Sequence, residues 1–180
     1  MAETFFTADT HFGHENIIHY CKRPFKNLEQ MNQVLIHNWN QRVKPEDIVY
    51  FLGDFCFKNF KGGKTKEGIQ KDFKYWMSQL NGNIIFLKGN HDNRNSLNTK
   101  LTYGIIKIGK ENIFLCHNPE EYNKNYKINL VGHVHEKWKI KIIEKNILVN
   151  VGVDQWDFKP IKWKEINELI ESKKTNETKK

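Results

Sequence analysis

The 180-residue sequence predicts a mixed α/β fold in which two sheets pack together with helices outside. Three observations predict it. A short apolar run followed by a loop rich in Gly, Asp, Asn or His recurs along the chain. Helical periodicities separate the early runs, and strand-like runs dominate after residue 100.

Residues 4–8 read as a first strand running into Asp9-Thr10-His11. Leu28, Met31, Leu35 and Trp39 follow at helical spacing. Residues 48–52 read as a buried strand ending at Gly53-Asp54. Ile69, Phe73, Trp76, Met77 and Leu80 predict a second helix, stopped by Asn81-Gly82. Residues 84–87 lead into Gly89-Asn90-His91-Asp92. Residues 104–108 and 113–116 flank Gly109-Lys110-Glu111-Asn112 as a hairpin, and the second of them leads into His117-Asn118-Pro119. Residues 130–131 lead into Gly132-His133-Val134-His135. Trp138, Ile140 and Ile142 alternate, residues 147–151 follow a turn at Lys145-Asn146, and a last helix is expected over 163–171. Unbroken apolar runs of this length suit strands covered on both faces. One domain is therefore expected over 1–171, with 172–180 a polar, lysine-rich, disordered tail.

Composition narrows the function classes. Hydrophobic residues make up 38% of the chain, and no apolar run approaches the ~18–20 residues that span a bilayer. The opening Met-Ala-Glu-Thr-Phe-Phe carries no basic segment and no long apolar region, so a cytoplasmic protein with no membrane partner is expected. Net charge is +8, carried by 26 Lys and only 3 Arg beside 21 Asn. Lys and Asn both have AT-rich codons, so genome composition competes with a polyanionic substrate as the source of that charge, and nucleic-acid readers also favour Arg. Cys21, Cys56 and Cys116 form no CxxC pair and read as small buried residues, not as disulfide or structural-zinc ligands.

The strand ends carry the chemistry. Six of the eight histidines (His11, His14, His91, His117, His133 and His135) fall in these segments, a clustering that turns and caps do not explain. Asp9 and His11 lie two apart at a strand end and can turn toward one point. His133 and His135, at i and i+2 on an extended segment, would point to opposite faces and could flank two ions if the segment ends at the site. Oxygen and imidazole donors without thiolate suit Mn²⁺, Fe or Zn²⁺ in a catalytic centre.

The order Asp-x-His, Gly-Asp, Gly-Asn-His-Asp, His and Gly-His-x-His resembles the calcineurin-like metallophosphoesterase superfamily over residues 7–160. Asp9-Thr10-His11-Phe12-Gly13-His14 and Asn150-Val151-Gly152-Val153-Asp154 further resemble its small bacterial and phage members. The resemblance implies a four-layer α/β/β/α sandwich and two divalent ions, with Mn²⁺ the first choice and Fe, Zn or a mixed pair the alternatives. Asp9, His11, Asp54 and His135 would hold one ion. Asp54, Asn90, His117 and His133 would hold the other, with Asp54 bridging and His91 as the catalytic histidine. Two divalent ions less two carboxylates and a bridging hydroxide leave a charge near +1 to hold a phosphate oxygen, and that hydroxide would attack phosphorus. The expected activity is hydrolysis of phosphodiesters of nucleotide or cyclic-nucleotide type. A broad monoesterase, a nuclease acting on DNA or RNA ends, and an inactive metal-binding scaffold are the alternatives. His14, Arg94 and Asn118 are candidate substrate or supporting contacts, residues 58–66 a candidate mobile loop, and a monomer or homodimer is expected. One branch is disfavoured: protein phosphatases continue Gly-Asp with a further Asp and Arg, where this chain has Phe57 and Lys58.

Overall fold

A computed structural model describes residues 2–57, 71–92 and 99–177, with side chains through residue 173. In chain order the elements are β1 (Thr4–Thr7), α1 (Asn16–Tyr20), α2 (Leu28–Asn40), β2 (Ile48–Leu52), α3 (Phe73–Met77), β3 (Asn83–Leu87), β4 (Tyr103–Ile108), β5 (Glu111–Cys116), β6 (Ile128–Val131), β7 (Ile140–Ile143), β8 (Asn146–Asn150), β9 (Ile161–Lys162) and α4 (Trp163–Glu177). The first sheet has the order β3-β2-β1-β9, parallel except for β9. Parallel neighbours need crossovers, and the segments carrying α2 and α3 supply them. The second sheet has the order β4-β5-β6-β8-β7, with β5, β6 and β8 parallel between antiparallel edges.

Alternation along each strand builds the layers. Phe5, Val49 and Phe51 face Met31, Leu35 and Trp39 of α2 and Trp76 of α3. On the opposite face, Phe6, Leu52 and Leu87 meet Ile113, Leu115, Leu130 and Val149 of the second sheet. Helix α4 packs on β9 and β1 and adds Ile166 and Ile170 to that inner layer. Tyr126 and Trp138 cover Phe114, Cys116 and Val131 of the second sheet. The predicted mixed α/β sandwich of two mixed sheets flanked by helices is the fold observed. Asn27 starts α2 by accepting a hydrogen bond from Gln30 N at 2.9 Å, which satisfies one free N–H of the first turn.

Several boundaries differ from the expected ones. The β4–β5 turn is Gly109-Lys110, two residues shorter than read, because Ile108 pairs with Glu111. Helix α1 spans only five residues, too few to show a period, and β9 only two. Helix α3 begins at Phe73, and Ile69 lies outside the described residues. Helix α4 continues past the expected end at 171 to Glu177, so residues 172–177, read from composition as tail, are helical. Its last turns are polar and rich in good helix formers, which a search for apolar periodicity passes over. Residues 178–180 lie outside the described residues, as does the candidate loop at 58–66.

What the fold does for function is done at one edge. Strands β1, β2 and β3 run parallel, as do β5, β6 and β8, and an isolated bridge from Ala8 to Gly152 ties the end of β1 to the segment after β8. Six strand C-termini therefore deliver their loops to a common edge, where open α/β sheets form their sites.

Candidate metal centre

Two groups of donor atoms meet at this edge. Asp9, His11 and His135 bring one ligand atom each within 4.8 Å of one another, and Asp54, His117 and His133 do the same. Asp54 Oδ2 lies between the groups, 3.6 Å from His11 Nε2 and 3.4 Å from His117 Nε2. Asn90 Oδ1 stands 2.9 Å from both His117 Nε2 and His133 Nδ1, which joins Asn90 to the second group. His11 Nε2 and Asp54 Oδ2 are buried without a hydrogen-bond partner. A buried donor or acceptor left unpaired costs about 1–3 kcal/mol. Two of them facing one another at 3.6 Å, among oxygen and imidazole ligands, fit a pair of divalent cations.

The backbone is bent to achieve this. Asp9, His11, Asp54, His133 and His135 all have left-handed conformations, with φ of 60°, 50°, 59°, 70° and 45°. Such φ values are uncommon for residues with a Cβ and cluster at functional sites. The extended reading of His133 and His135 is therefore corrected: β6 stops at Val131, and the segment turns at each histidine. The two rings still part company, His135 toward Asp9 and His11, His133 toward Asp54 and His117. Hydrogen bonds between loops hold the bends, with Asp9 N donating to Gly53 O at 3.0 Å and His11 N to Asp54 O at 3.1 Å. Gly89 clears space for Asp54, since a Cβ there would lie 2.2 Å from Asp54 Oδ1.

The carboxylates are locked from behind. Asp9 accepts His133 N through both oxygens at 3.1 and 2.9 Å, and Asp54 Oδ1 accepts His91 N at 2.9 Å. His117 Nδ1 pairs with Leu52 O at 2.7 Å, which turns Nε2 toward Asp54. Burial alone would make His117 and His135 weaker bases, but their carboxylates outweigh it. Asp54 and Asp9 lift His117 to about 9, and Asp154, with smaller help from Cys21 and Asp9, lifts His135 to about 10. Burial pushes Asp9 up to about 6 against the pull of His117 and His135. Burial acts on Asp54 in the same direction, yet His117, His11 and the His91 N–H hold it below the usual carboxylate range. Desolvation keeps His11 well below its ordinary value, hence neutral. The site without metal is thus a protonated, electrostatically tense cluster whose protons a cation would displace.

The remaining expected residues divide. His91 is exposed, with its ring 5.6 Å from that of His11. His14 accepts Ile17 N through Nδ1 at 3.2 Å, which starts α1, while its ring packs on Phe57 at 4.2 Å. Asn118 accepts Glu120 N at 3.0 Å as the cap of a short 3₁₀ turn, and it also borders a cleft with Lys88, Asn90 and His133. Arg94 lies outside the described residues. The three cysteines are buried and unbridged. Four further residues support the site, and three of them, Asp92, Arg23 and Asp154, had no role assigned from the sequence. Asp92 accepts Asp54 N and Gly89 N at 2.8 Å each, stitching the β2 and β3 loops. Asn150 donates to His135 O and Trp138 O at 2.8 and 3.0 Å. Arg23 binds Asp154, and Asp154 holds His135. Arg23 carried a signal of its own, as one of three arginines beside 26 lysines.

Comparison with known proteins agrees with this geometry. An uncharacterized protein of Methanocaldococcus jannaschii is 37% identical over 183 residues, covering 99% of this chain and 97% of that protein. The gene 66 protein of Mycobacterium phage L5 is 29% identical over 98 residues, covering 54% of this chain and 44% of the phage protein. The crystal structure of a protein of unknown function from Aquifex aeolicus superimposes with a TM-score of 0.70 at 29% identity, covering 94% of this chain and all of that one. The family model described as calcineurin-like phosphoesterase matches residues 4–169, which include every donor described above, and the chain belongs to that family.

Proposed function

We propose that the chain is a two-metal phosphoesterase that prefers diesters. The observation that carries the reading is Asp54 Oδ2, buried, unpaired and lying between His11 and His117, which belong to the two separate donor groups. Asp9, His11, Asp54 and His135 would hold one ion, and Asp54, Asn90, His117 and His133 the other, with Mn²⁺ the first choice for so oxygen- and imidazole-rich a set and Fe or Zn²⁺ the alternatives. When bound, such a pair lowers the pKa of water toward neutrality and neutralises charge on the phosphoryl group. His91, anchored by its own N–H to Asp54 Oδ1, presents an exposed imidazole beside His11, placed to hydrogen-bond a phosphate oxygen and protonate the leaving oxygen.

Two clefts support the preference for diesters. One of about 270 Å³ borders the second donor group and is lined by Lys88, Asn90, Thr102, Asn118, Glu121 and His133. Another of about 240 Å³ is lined by Gly13, His14, Glu15, Asn16, Leu28 and Phe57, and approaches the first group through His14, whose ring centre is 5.7 Å from that of His11. Room beside the second group and beyond His14 suits a phosphorus substituted on two sides, and the Phe57 ring offers a stacking face for a nucleobase. The deciding measurement is kcat/KM, with added Mn²⁺, for nitrophenyl mono- and diesters sharing one leaving group, extended to cyclic nucleotides and RNA ends. A diester advantage is expected. A monoester advantage of tenfold or more would overturn the diester preference, and inactivity on the whole panel would overturn the enzyme.

A further inference from the structure

Behind His135 lies a chain of buried polar groups that reaches no substrate. His135 Nδ1 is 3.0 Å from Asp154 Oδ2. Arg23 grips the same carboxylate with both arms, Nε to Oδ1 at 2.8 Å and Nη2 to Oδ2 at 2.9 Å. The same guanidinium donates to the backbone of the first strand end, Nη2 to Asp9 O at 2.7 Å and Nη1 to Thr10 O at 3.0 Å. The Arg23 and Asp154 side chains are 0% and 2% exposed, so the pair forgoes hydration and returns four directed bonds. In the second donor group Asp92 braces the backbone at Asp54 and Gly89, but among the described residues no carboxylate from outside the group hydrogen-bonds the histidine nitrogens: His117 leans on the Leu52 carbonyl and His133 on Asn90.

We infer that Arg23 and Asp154 are positioning residues for one ion site alone: they clamp the Asp9–Thr10 backbone and the His135 ring in one frame, which turns His135 Nε2 toward Asp9 and His11. The inference rests on the two-metal reading above. A ligating histidine generally donates its second N–H to a carboxylate, a backbone carbonyl or water, which sets both tautomer and ring angle. Here the orienting carboxylate is itself oriented, by a planar fork that a lysine could not imitate. A competing arrangement would place a cation among Cys21, His135 and Asp154, whose ligand atoms also lie within 4.8 Å of one another. Arg23 opposes it, because its nitrogens occupy both Asp154 oxygens and would set a fixed positive charge beside the ion.

The test is Co²⁺ titration of the full chain, followed by calorimetry and by the visible ligand-field spectrum, for wild type, Asp154→Asn and Arg23→Lys. Wild type should bind two ions. The variants should bind one as wild type does and the other about 10–100-fold more weakly, the usual cost of losing such a partner. Wild-type affinity at both sites in the variants would overturn the inference while leaving the two-metal reading intact. Equal weakening of both would also overturn it, as a general loss of packing, and a wild type that does not bind two ions would overturn the reading beneath it. Should the single variants fail to fold, the ¹⁵N imidazole shifts of the Zn²⁺-loaded wild type decide. Metal on His135 Nε2 with a proton on Nδ1 is expected; metal on Nδ1 would overturn the frame and favour the Cys21 arrangement.

Discussion

At the scale of single residues, the centre is built from side chains that no local rule would place together. Asp54 has one oxygen bonded by His91 N, while the other accepts no hydrogen bond and only faces His117 at 3.4 Å and His11 at 3.6 Å, so its second oxygen is the atom that a cation pair would complete. Asp54→Ala is therefore expected to lose both ions, read by elemental analysis after gel filtration; full occupancy in the variant would contradict the bridging role. His91 contributes its backbone to Asp54 and its ring to the open side. His91→Ala should keep both ions and lose roughly 10²–10⁴-fold in kcat on substrates with poor leaving groups, the range for a positioned acid–base group. Unchanged turnover with a poor leaving group would remove His91 from the mechanism.

At the scale of elements, the strands supply rigidity and the loops after them supply chemistry. The β2 and β3 loops approach so closely that Gly89 meets Asp54 side-chain and backbone atoms where a Cβ would sit. Gly89→Ala must push Asp54 aside. It should cost about 1–3 kcal/mol of stability, as overpacking does, and weaken both ions together, since Asp54 serves both groups. A thermal melt and a metal titration on the same preparation check the two effects. Helix α4 makes the opposite case. Ile170 is its last buried apolar residue, and residues 171–173 are exposed. Deleting 172–180 should shift Tm by less than about 3 °C, under 1 kcal/mol for a domain of this size; a larger fall would show that the end of α4 docks.

At the scale of the whole molecule, the metal-free site makes stability depend on pH. His117 and His135 titrate near 9 and 10 when folded, against 6.5 ordinarily, so the folded chain binds their protons more tightly. Their contribution is complete below pH 6.5 and is lost as pH rises through those values. The Tm of chelator-treated protein should therefore fall between pH 6.5 and 8.5. The gain in Tm on adding Mn²⁺ should grow over the same interval, because protons and cations compete for the same nitrogens. A flat metal-free profile would show that the two histidines are not held as described. No helix among the described residues is long and apolar enough to cross a membrane.

The sequence by itself determined the two-sheet fold class and the identity of the candidate donors. Both are written in signals a few residues long: an unbroken apolar run, then a glycine and a polar ligand type at its end. Its reach stopped where those signals stop. The end of α4 carries no apolar period, and the left-handed backbone at Asp9, His11, Asp54, His133 and His135 is one that Asp and His enter more readily than most residues but still seldom, so no local signal announces it. Only bonds between distant loops, such as Asp9 N to Gly53 O, hold it. The division of the histidines between two groups about Asp54 was implied by the family resemblance, whereas tertiary structure alone decided that Arg23 meets Asp154 across 131 residues of chain. That contact is invisible to periodicity or spacing because packing creates it: the segment after α1 and the segment after β8 are brought to one edge by the packing of the two sheets.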